Sequence, residues 1–134
     1  TTAVLGDMIA TKAKHRGIAA YVVDGLVRDV PGLREIGLPV FARGVTPVGP
    51  LHRGPGEINY PIACGGVVVN PGDIISAGPD GVVVIPLGFA EEVLKRLRER
   101  AARIAGYVAD LKRGDFSNAW VDSILEKTGC VQEN

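Results

Sequence analysis

The sequence predicts an α/β domain, and three observations support that class. Helical patterns alternate with short apolar runs over residues 1–43, which is the order of a parallel sheet covered by helices. Residues 62–85 contain apolar runs separated by tight-turn sequences, which is typical of antiparallel strands. From residue 88 onwards the apolar period is helical. A chain of 134 residues, 46% of them hydrophobic, can bury a core of its own, so we expect residues 1–134 to form a single domain.

The first elements are predicted between residues 6 and 43. A short helix over residues 8–16 follows Gly6 and Asp7, where a carboxylate accepts from free backbone N–H groups and complements the helix dipole. Gly17 ends that helix. The apolar residues 18–23 predict a fully buried strand that is parallel to its neighbours. Three further features follow in order: a turn at Asp24 and Gly25, a short helix over residues 30–36 that Gly37 ends, and a strand over residues 39–43.

The second half of the chain begins with a segment rich in Pro and Gly, residues 44–61, which predicts long loops and short irregular strands. Residues 62–69, 74–77 and 82–85 predict antiparallel strands, with turns at residues 70–73 and 78–81. A long helix follows, with Leu97 and Ile104 on its apolar stripe and Gly114 at its end. Residues 116–118 then cap a final amphipathic helix.

Composition excludes several classes of protein. Fifteen basic residues balance fifteen acidic ones, so there is no electrostatic case for a nucleic-acid partner. No apolar run approaches the roughly eighteen residues of a membrane span.

Cys64 and Cys130 lack metal-type spacing, and we expect reduced thiols in a cytoplasmic protein, with Cys64 as a small core residue. The chain starts without Met or a charged segment, which is unlike a signal peptide, and we expect that an N-terminal portion is missing.

Asp7, Arg28 and Asp29 are the candidate site residues. Twenty residues separate Asp7 from Arg28, and a helix followed by one strand returns the chain to the level where it began. One guanidinium and two carboxylates at that level could hold a metal and an anionic substrate. The ordinary alternative is a helix cap and a surface ion pair worth under ~1 kcal/mol. His52 and Arg53 are interpreted as solvated loop residues or, alternatively, as a grip on the distal end of an anionic substrate.

The spacing Asp7, twenty residues, Arg28-Asp29 resembles the Asp-x20-Arg-Asp motif of the RraA-like family. That family includes the class II 4-hydroxy-4-methyl-2-oxoglutarate / 4-carboxy-4-hydroxy-2-oxoadipate aldolases. The supporting stretches are residues 17–20, 24–29, 39–42, 59–62, 65–73 and 80–86, and the resemblance runs from Gly6 to about Leu97 without a large gap. It implies a swivelling β/β/α sandwich with a mixed sheet and C-terminal helices. It also implies homotrimers or hexamers with sites between subunits, and a longer N-terminus than this chain has.

The resemblance also implies a role for each motif residue. Asp29 resembles the carboxylate that anchors Mg²⁺ or Mn²⁺, and Arg28 resembles the residue that bonds the 2-oxo acid end of the substrate. Asp7 resembles the carboxylate that orders a metal-bound water and Arg28. Gly6 precedes the helix start at which the N–H groups of Met8 and Ile9 would hold the substrate carboxylate.

These roles imply a divalent-metal-dependent lyase. The expected activities are retro-aldol cleavage of a 4-hydroxy-2-oxo acid, decarboxylation of oxaloacetate, or both, through a stabilised pyruvate enolate. The aldolases also supply a carboxylate from the long C-terminal helix of a neighbouring subunit. A gapless alignment puts that position near Ile104, with Glu99 and Asp110 as the nearest acids. The alternative is a non-catalytic regulator that binds ribonuclease E.

Overall fold

The computed structural model describes residues 2–51 and 54–130 of the chain. The chain divides into two compact units, Thr1–Ala90 and Glu91–Asn134. The elements in chain order are β1 (Ala3–Leu5), α1 (Asp7–His15), β2 (Tyr21–Val27), α2 (Val30–Ile36), β3 (Val40–Val45), β4 (Ile62–Cys64), β5 (Val67–Val69), β6 (Ile74–Gly78), β7 (Gly81–Ile85), a 3₁₀ turn (Leu87–Phe89), α3 (Ala90–Arg113) and α4 (Ala119–Thr128). The predicted α/β class with C-terminal helices is confirmed.

Strands β1, β2 and β3 form a parallel sheet in that order, so the predicted parallel pairing is confirmed. The predicted turn at Asp24 and Gly25 is wrong, because both residues lie inside β2. Gly25 is needed there by close packing: a Cβ at that position would lie 2.8 Å from Cγ2 of Val4 on β1. Asp24 is accommodated because Arg43, on the neighbouring strand β3, supplies its counter-charge.

The core of the first unit lies between this sheet and the helices α1 and α2. Its buried members are Leu5, Ala10, Ala13, Val27, Leu33 and Leu38. The glycines after the two helices have φ angles of +79° at Gly17 and +67° at Gly37, which confirms both predicted helix ends. The prediction that β2 is fully buried is wrong, since Val22 on the face away from the core is 37% exposed. Among the described residues, the buried core lies on one face of this sheet.

Two antiparallel hairpins complete the described part of the first unit, β4 with β5 and β6 with β7, and the predicted antiparallel pairing is confirmed. The prediction of one strand over residues 62–69 is wrong, because a turn at Gly65 and Gly66, both with positive φ, divides it into β4 and β5. Parallel and antiparallel pairing thus both occur, in three separate sheets. The predicted turn at residues 70–73 is also present, because the Asn70 N–H donates to Asp73 Oδ2 at 2.8 Å. Cys64, at the end of β4, is half-buried and not part of the core, so that expectation is wrong.

The second unit contains nearly all of α3 and the whole of α4. Gly114 follows the end of α3 and Gly129 follows the end of α4, both with positive φ. Within the predicted cap of α4, the N-cap residue is Asn118, whose side chain makes no capping hydrogen bond, and Ser117 Oγ accepts from the Ala119 N–H at 3.1 Å. No residue of either helix is buried, and Leu97 on the apolar stripe is 54% exposed. Across residues 2–51 and 54–130, every helix is either too short or too polar to cross a membrane.

Candidate active site

The candidate site is built where parallel strands end. β1 ends at Leu5 and β2 ends at Val27, and the Arg28 N–H donates to the Leu5 carbonyl oxygen at 3.1 Å. Because parallel strands present their carboxyl ends at the same edge of the sheet, the residues that follow each strand become neighbours. Open α/β sheets bind ligands at this edge. The fold therefore brings the start of α1 beside Arg28 and Asp29.

The segment after β3 reaches the same edge. The Thr46 N–H donates to the Val27 carbonyl oxygen at 3.0 Å, and the Ala3 N–H donates to the Val48 carbonyl oxygen at 2.9 Å. Two backbone hydrogen bonds thus hold the segment against β1 and β2. Gly49 then packs on the Arg28 guanidinium, and a Cβ at Gly49 would lie 3.0 Å from Arg28 Nη1. This segment forms one wall of the site.

A pocket of about 170 Å³ opens at this edge. Its lining residues are Gly6, Asp7, Met8, Ile9, Lys12, Arg28, Asp29 and Pro50. The structure therefore brings together all six residues that the sequence singled out, although their chemical roles stay predictions. The sequence reasoning missed Lys12, whose signal was its position one helical turn after Met8. It also missed Pro50, while His52 and Arg53 lie outside the described residues.

Arg28 and Asp29 form an ion pair at this pocket. Arg28 Nε lies 3.1 Å from Asp29 Oδ2, and the two side chains are 31% and 41% exposed. Nε itself is buried and has no hydrogen bond of acceptable geometry among the described residues. Asp29 has left-handed backbone angles, φ 57° and ψ 42°, which carry a conformational cost for a residue with a Cβ.

Asp29 is the N-cap residue of α2, yet its side chain makes no capping hydrogen bond. Its carboxylate instead lies close to Gly6, where an added Cβ would stand 2.4 Å from Asp29 Oδ2. The absence of a side chain at Gly6 is therefore what makes room for this carboxylate. Asp29 therefore does not cap α2 through its side chain, and it forms with Arg28 the ion pair that the ordinary alternative expects.

Asp7 is the first residue of α1, and Gly6 is the N-cap. Asp7 Oδ1 accepts from the Met8 N–H at 2.6 Å, so that donor is already engaged. The side chain also packs against α2, where a Cβ on Gly32 would lie 2.6 Å from Asp7 Oδ2. The Ile9 N–H, in the first turn of α1, has no hydrogen-bond partner among the described residues, as is usual for the first donors of a helix. A bound carboxylate could therefore accept a hydrogen bond from the Ile9 N–H. It could accept one from the Met8 N–H only if the Asp7 side chain moved away from that donor.

A divalent cation such as Mg²⁺ or Mn²⁺ fits this donor set. Asp7 and Asp29 offer carboxylate oxygens at one pocket, and Mg²⁺ is commonly held by one or two carboxylates together with waters. No group of three or more His, Cys, Asp or Glu side chains converges in the part of the chain that the structure describes. Such a sparse, all-oxygen set suits a hard cation and not a structural zinc.

A second polar cluster, which the sequence reasoning missed, joins the parallel sheet to the first hairpin. Asp24 pairs with Arg43 on β3 and accepts from the Gly65 N–H at 2.9 Å, at the turn between β4 and β5. The Arg43 guanidinium, and then the Gly65 N–H, hold the pKa of the Asp24 carboxyl below its ordinary value. The pair raises the pKa of Arg43 in turn. This cluster anchors the hairpin to the sheet.

Comparison with protein families gives a match over most of the first unit. The model of the RraA-like family, described as aldolase/RraA, matches residues 1–84. A protein of Halalkalibacterium halodurans, provisionally named 4-hydroxy-4-methyl-2-oxoglutarate aldolase, is 44% identical over 102 residues. That alignment covers 76% of this chain and 49% of the relative, so the chain spans about half the length of this curated relative.

Solved structures give the same picture. An uncharacterized protein from Pseudomonas syringae pv. tomato superposes with a TM-score of 0.79 at 27% identity, covering 86% of this chain and 58% of that one. Streptomyces coelicolor RraAS2, described as an unusual member of the RNase ES inhibitor RraA protein family, gives a TM-score of 0.73 at 36% identity. That superposition covers 79% of this chain and 55% of RraAS2.

Proposed function

Because the chain belongs to the RraA-like family, we propose that it is part of a divalent-metal-dependent lyase that releases pyruvate from a 4-hydroxy-2-oxo acid, from oxaloacetate, or from both. The observation that carries the proposal is the pocket where three strand ends meet, with Asp7, Arg28 and Asp29 around it. Its volume of about 170 Å³ is below the roughly 300 Å³ of typical drug-sized sites, which suits a small organic acid.

Substrate binding uses the start of α1 and Arg28. The Ile9 N–H, at the positive end of the helix dipole, donates to the carboxylate of the 2-oxo acid. Arg28 donates to the keto oxygen, and Gly49 and Asp29 hold its guanidinium from two sides. Met8 and Pro50 supply apolar walls to the same pocket. The substrate is thereby held by its 2-oxo acid end.

Cleavage of the C3–C4 bond leaves its electron pair on C3. That pair is delocalised as an enolate, which places negative charge on the keto oxygen. A divalent cation held by Asp29, when bound, supplies positive charge beside that oxygen. Arg28 stabilises the same charge by its hydrogen bond, in a geometry set before the reaction. For retro-aldol cleavage, a water held by Asp7 takes the proton of the 4-hydroxyl group, C4 becomes a carbonyl carbon as the C3–C4 bond breaks, and the proton is returned to C3 to give pyruvate. Decarboxylation of oxaloacetate needs no proton removal.

The test is metal-dependent pyruvate release by the whole protein. Oxaloacetate is supplied with Mg²⁺ or Mn²⁺, and pyruvate is measured through lactate dehydrogenase, with a protein-free blank for decarboxylation by the metal alone. We expect Arg28→Ala to lower kcat/KM by about 10²-fold, since it removes a donor aimed at developing charge. Arg34→Ala is the matched control, an exposed arginine on α2 that does not line the pocket. Equal rates for Arg28→Ala and the wild type would overturn the proposal.

A second candidate function, a regulator that binds ribonuclease E, is favoured by the likeness to RraAS2, whose description names an RNase ES inhibitor family. A protein that acts through surface contact does not need the pocket. If the chain has this function, Arg28→Ala should leave inhibition of ribonuclease E intact. If the wild-type protein neither binds nor inhibits the ribonuclease, this candidate function is removed.

A further inference from the structure

The long helix α3 carries an apolar stripe that stays exposed in the described chain. None of its 24 residues is buried, and the large side chains of the stripe are between 39% and 54% exposed. The stripe residues are separated alternately by three and four positions, which is the a and d pattern of a coiled coil. They are Leu94, Leu97, Ala101, Ile104, Val108 and Leu111. A continuous apolar stripe on an exposed helix marks an interaction surface.

The stripe is narrow, which favours another helix as its partner. A stripe of a and d residues alone is the seam along which two helices pair, whereas a helix that faces a globular core has a wider apolar face. The ion pairs within α3, Arg96 with Glu92 and Arg113 with Asp110, lie on the side of the helix away from the stripe. The stripe itself carries no charged residue and is open to a second helix.

Side-chain size along the stripe favours an antiparallel pair of α3 helices from two copies of the chain. In such a pair each a residue packs beside a d residue, so Ala101 lies opposite Ile104 of the second copy. The smallest side chain of the stripe is then matched with a large one. A parallel pair would place Ala101 opposite Ala101 of the second copy and leave a gap in the middle of the seam, which costs stability.

The charged residues beside the stripe favour the same arrangement. An antiparallel pair places Glu91 beside Lys112 of the second copy, and this attraction occurs twice, once at each end of the pair. It also places Arg100 beside Tyr107 of the second copy, where a guanidinium can lie on the face of the ring. In a parallel pair Glu91 and Lys112 would lie at opposite ends. None of Glu91, Arg100 and Lys112 forms an ion pair within the described residues, so all three are available.

We propose that α3 is an association surface through which two copies of this chain pair, with their α3 helices antiparallel. The proposal does not depend on the lyase or on its pocket. It also differs from the contact that the family resemblance implies, in which this helix brings a carboxylate to a neighbouring site, because the seam has Ile104 and no acid. Antiparallel helices are related by a two-fold axis, so an assembly in which every α3 is paired contains an even number of chains.

The first experiment measures the mass of the whole protein in solution by size-exclusion chromatography with light scattering. We expect an even number of chains in the wild-type assembly and half that number in Ile104→Lys, since a lysine in the seam would be buried without a partner. Ala102→Lys is the matched control, because it adds the same charge to an exposed position on the other side of the helix. Ile104 is not buried in the single chain, so Ile104→Lys removes no core contact, and circular dichroism checks its helix content.

The second experiment tests the direction of the helices in a background that carries Cys64→Ser and Cys130→Ser. Leu94→Cys and Leu111→Cys are prepared separately, mixed, and treated with oxidised glutathione. We expect a disulfide between the two different variants and none in either variant alone. In an antiparallel pair the two copies of residue 94 lie about 26 Å apart along the axis at 1.5 Å per residue. A disulfide needs Cα atoms within about 7 Å of each other.

Each result decides for or against the antiparallel pair. An unchanged mass for Ile104→Lys, or an odd number of chains in the wild-type assembly, overturns the proposal. A disulfide in Leu94→Cys alone overturns it too, because it shows parallel helices. Binding to phosphatidylglycerol vesicles that Ile104→Lys abolishes, with no change in mass, assigns the stripe to a lipid surface and likewise overturns the pair. If Ile104→Lys loses helix content, the cross-link alone decides.

Discussion

Replacing Gly6 with alanine tests the geometry of the site with the smallest possible change. The backbone of Gly6 has φ −139° and ψ −166°, an extended conformation that alanine adopts without strain. Any effect of Gly6→Ala must therefore come from the added methyl group. That methyl carbon would lie 2.4 Å from Asp29 Oδ2 and 3.1 Å from Arg28 Cγ. Both distances are shorter than a normal van der Waals contact.

The size of the effect follows from which group can move. Asp29 is 41% exposed, so its carboxylate can shift by about 1 Å and relieve most of the overlap. Overpacking typically costs about 1–3 kcal/mol, and the freedom of Asp29 puts the loss of unfolding free energy near the lower end. A misplacement of about 1 Å at reacting groups can cost about 10²-fold in rate. Gly6→Ala should therefore harm metal binding and catalysis far more than stability.

Three measurements on Gly6→Ala check this: thermal unfolding, Mn²⁺ affinity by calorimetry, and kcat/KM for pyruvate release. Gly78→Ala is the control, because Gly78 lies in β6 and a Cβ there would meet nothing within 4 Å. The control should keep its Mn²⁺ affinity and rate. If Gly6→Ala also keeps Mn²⁺ affinity and at least half of the wild-type kcat/KM, the carboxylate of Asp29 does not act from the position described.

Two further predictions concern positions outside the strand-end motif. Gly32→Ala should lower kcat/KM about tenfold by displacing the Asp7 carboxylate, 2.6 Å from the added Cβ, whereas Gly106→Ala, with open space around it in α3, should leave the rate unchanged. Pyruvate release is measured for both variants. Equal kcat/KM values for Gly32→Ala and Gly106→Ala would show that a Cβ at position 32 does not displace the Asp7 carboxylate. Asp24→Asn should destabilise the protein above about pH 4, where the wild-type carboxylate is ionised and paired with Arg43. Because folding lowers the pKa of Asp24, this stabilisation is lost as the pH falls through the folded-state value, so urea unfolding should show the two proteins converging at low pH.

Local patterns predicted most of the secondary structure because the signals are local. Gly17 and Gly37 end α1 and α2 as expected, since a left-handed residue after a helix strongly favours glycine. The same reasoning failed at Asp24 and Gly25. An Asp-Gly pair is a strong turn signal, but here a distant arginine and the close approach of Val4 keep both residues inside a strand. No pattern within a few residues contains that information.

The site was predictable for a different reason. A helix and a strand of ordinary length place Asp7 and Arg28 at the same edge of a parallel sheet, so spacing alone brings them together. The contributions of Gly49 and Pro50 were not predictable, because the segment after β3 has no periodic pattern and its path is set by hydrogen bonds to Val27 and Ala3. Lys12 was missed because a lysine on a short helix is ordinarily a solvated residue.

The geometry of Arg28 and Asp29 also bears on the choice between an enzyme and a binding regulator. A left-handed aspartate costs of the order of 1 kcal/mol relative to glycine, and a buried guanidinium nitrogen without a good hydrogen bond adds a further cost of roughly that size. Glycine at position 29 would form the same turn without the first cost, and α2 gains no capping hydrogen bond from Asp29 in return. A surface regulator has no use for either feature. Under the proposed lyase function, a carboxylate that faces a bound cation, beside an arginine that faces a bound substrate, would account for both features.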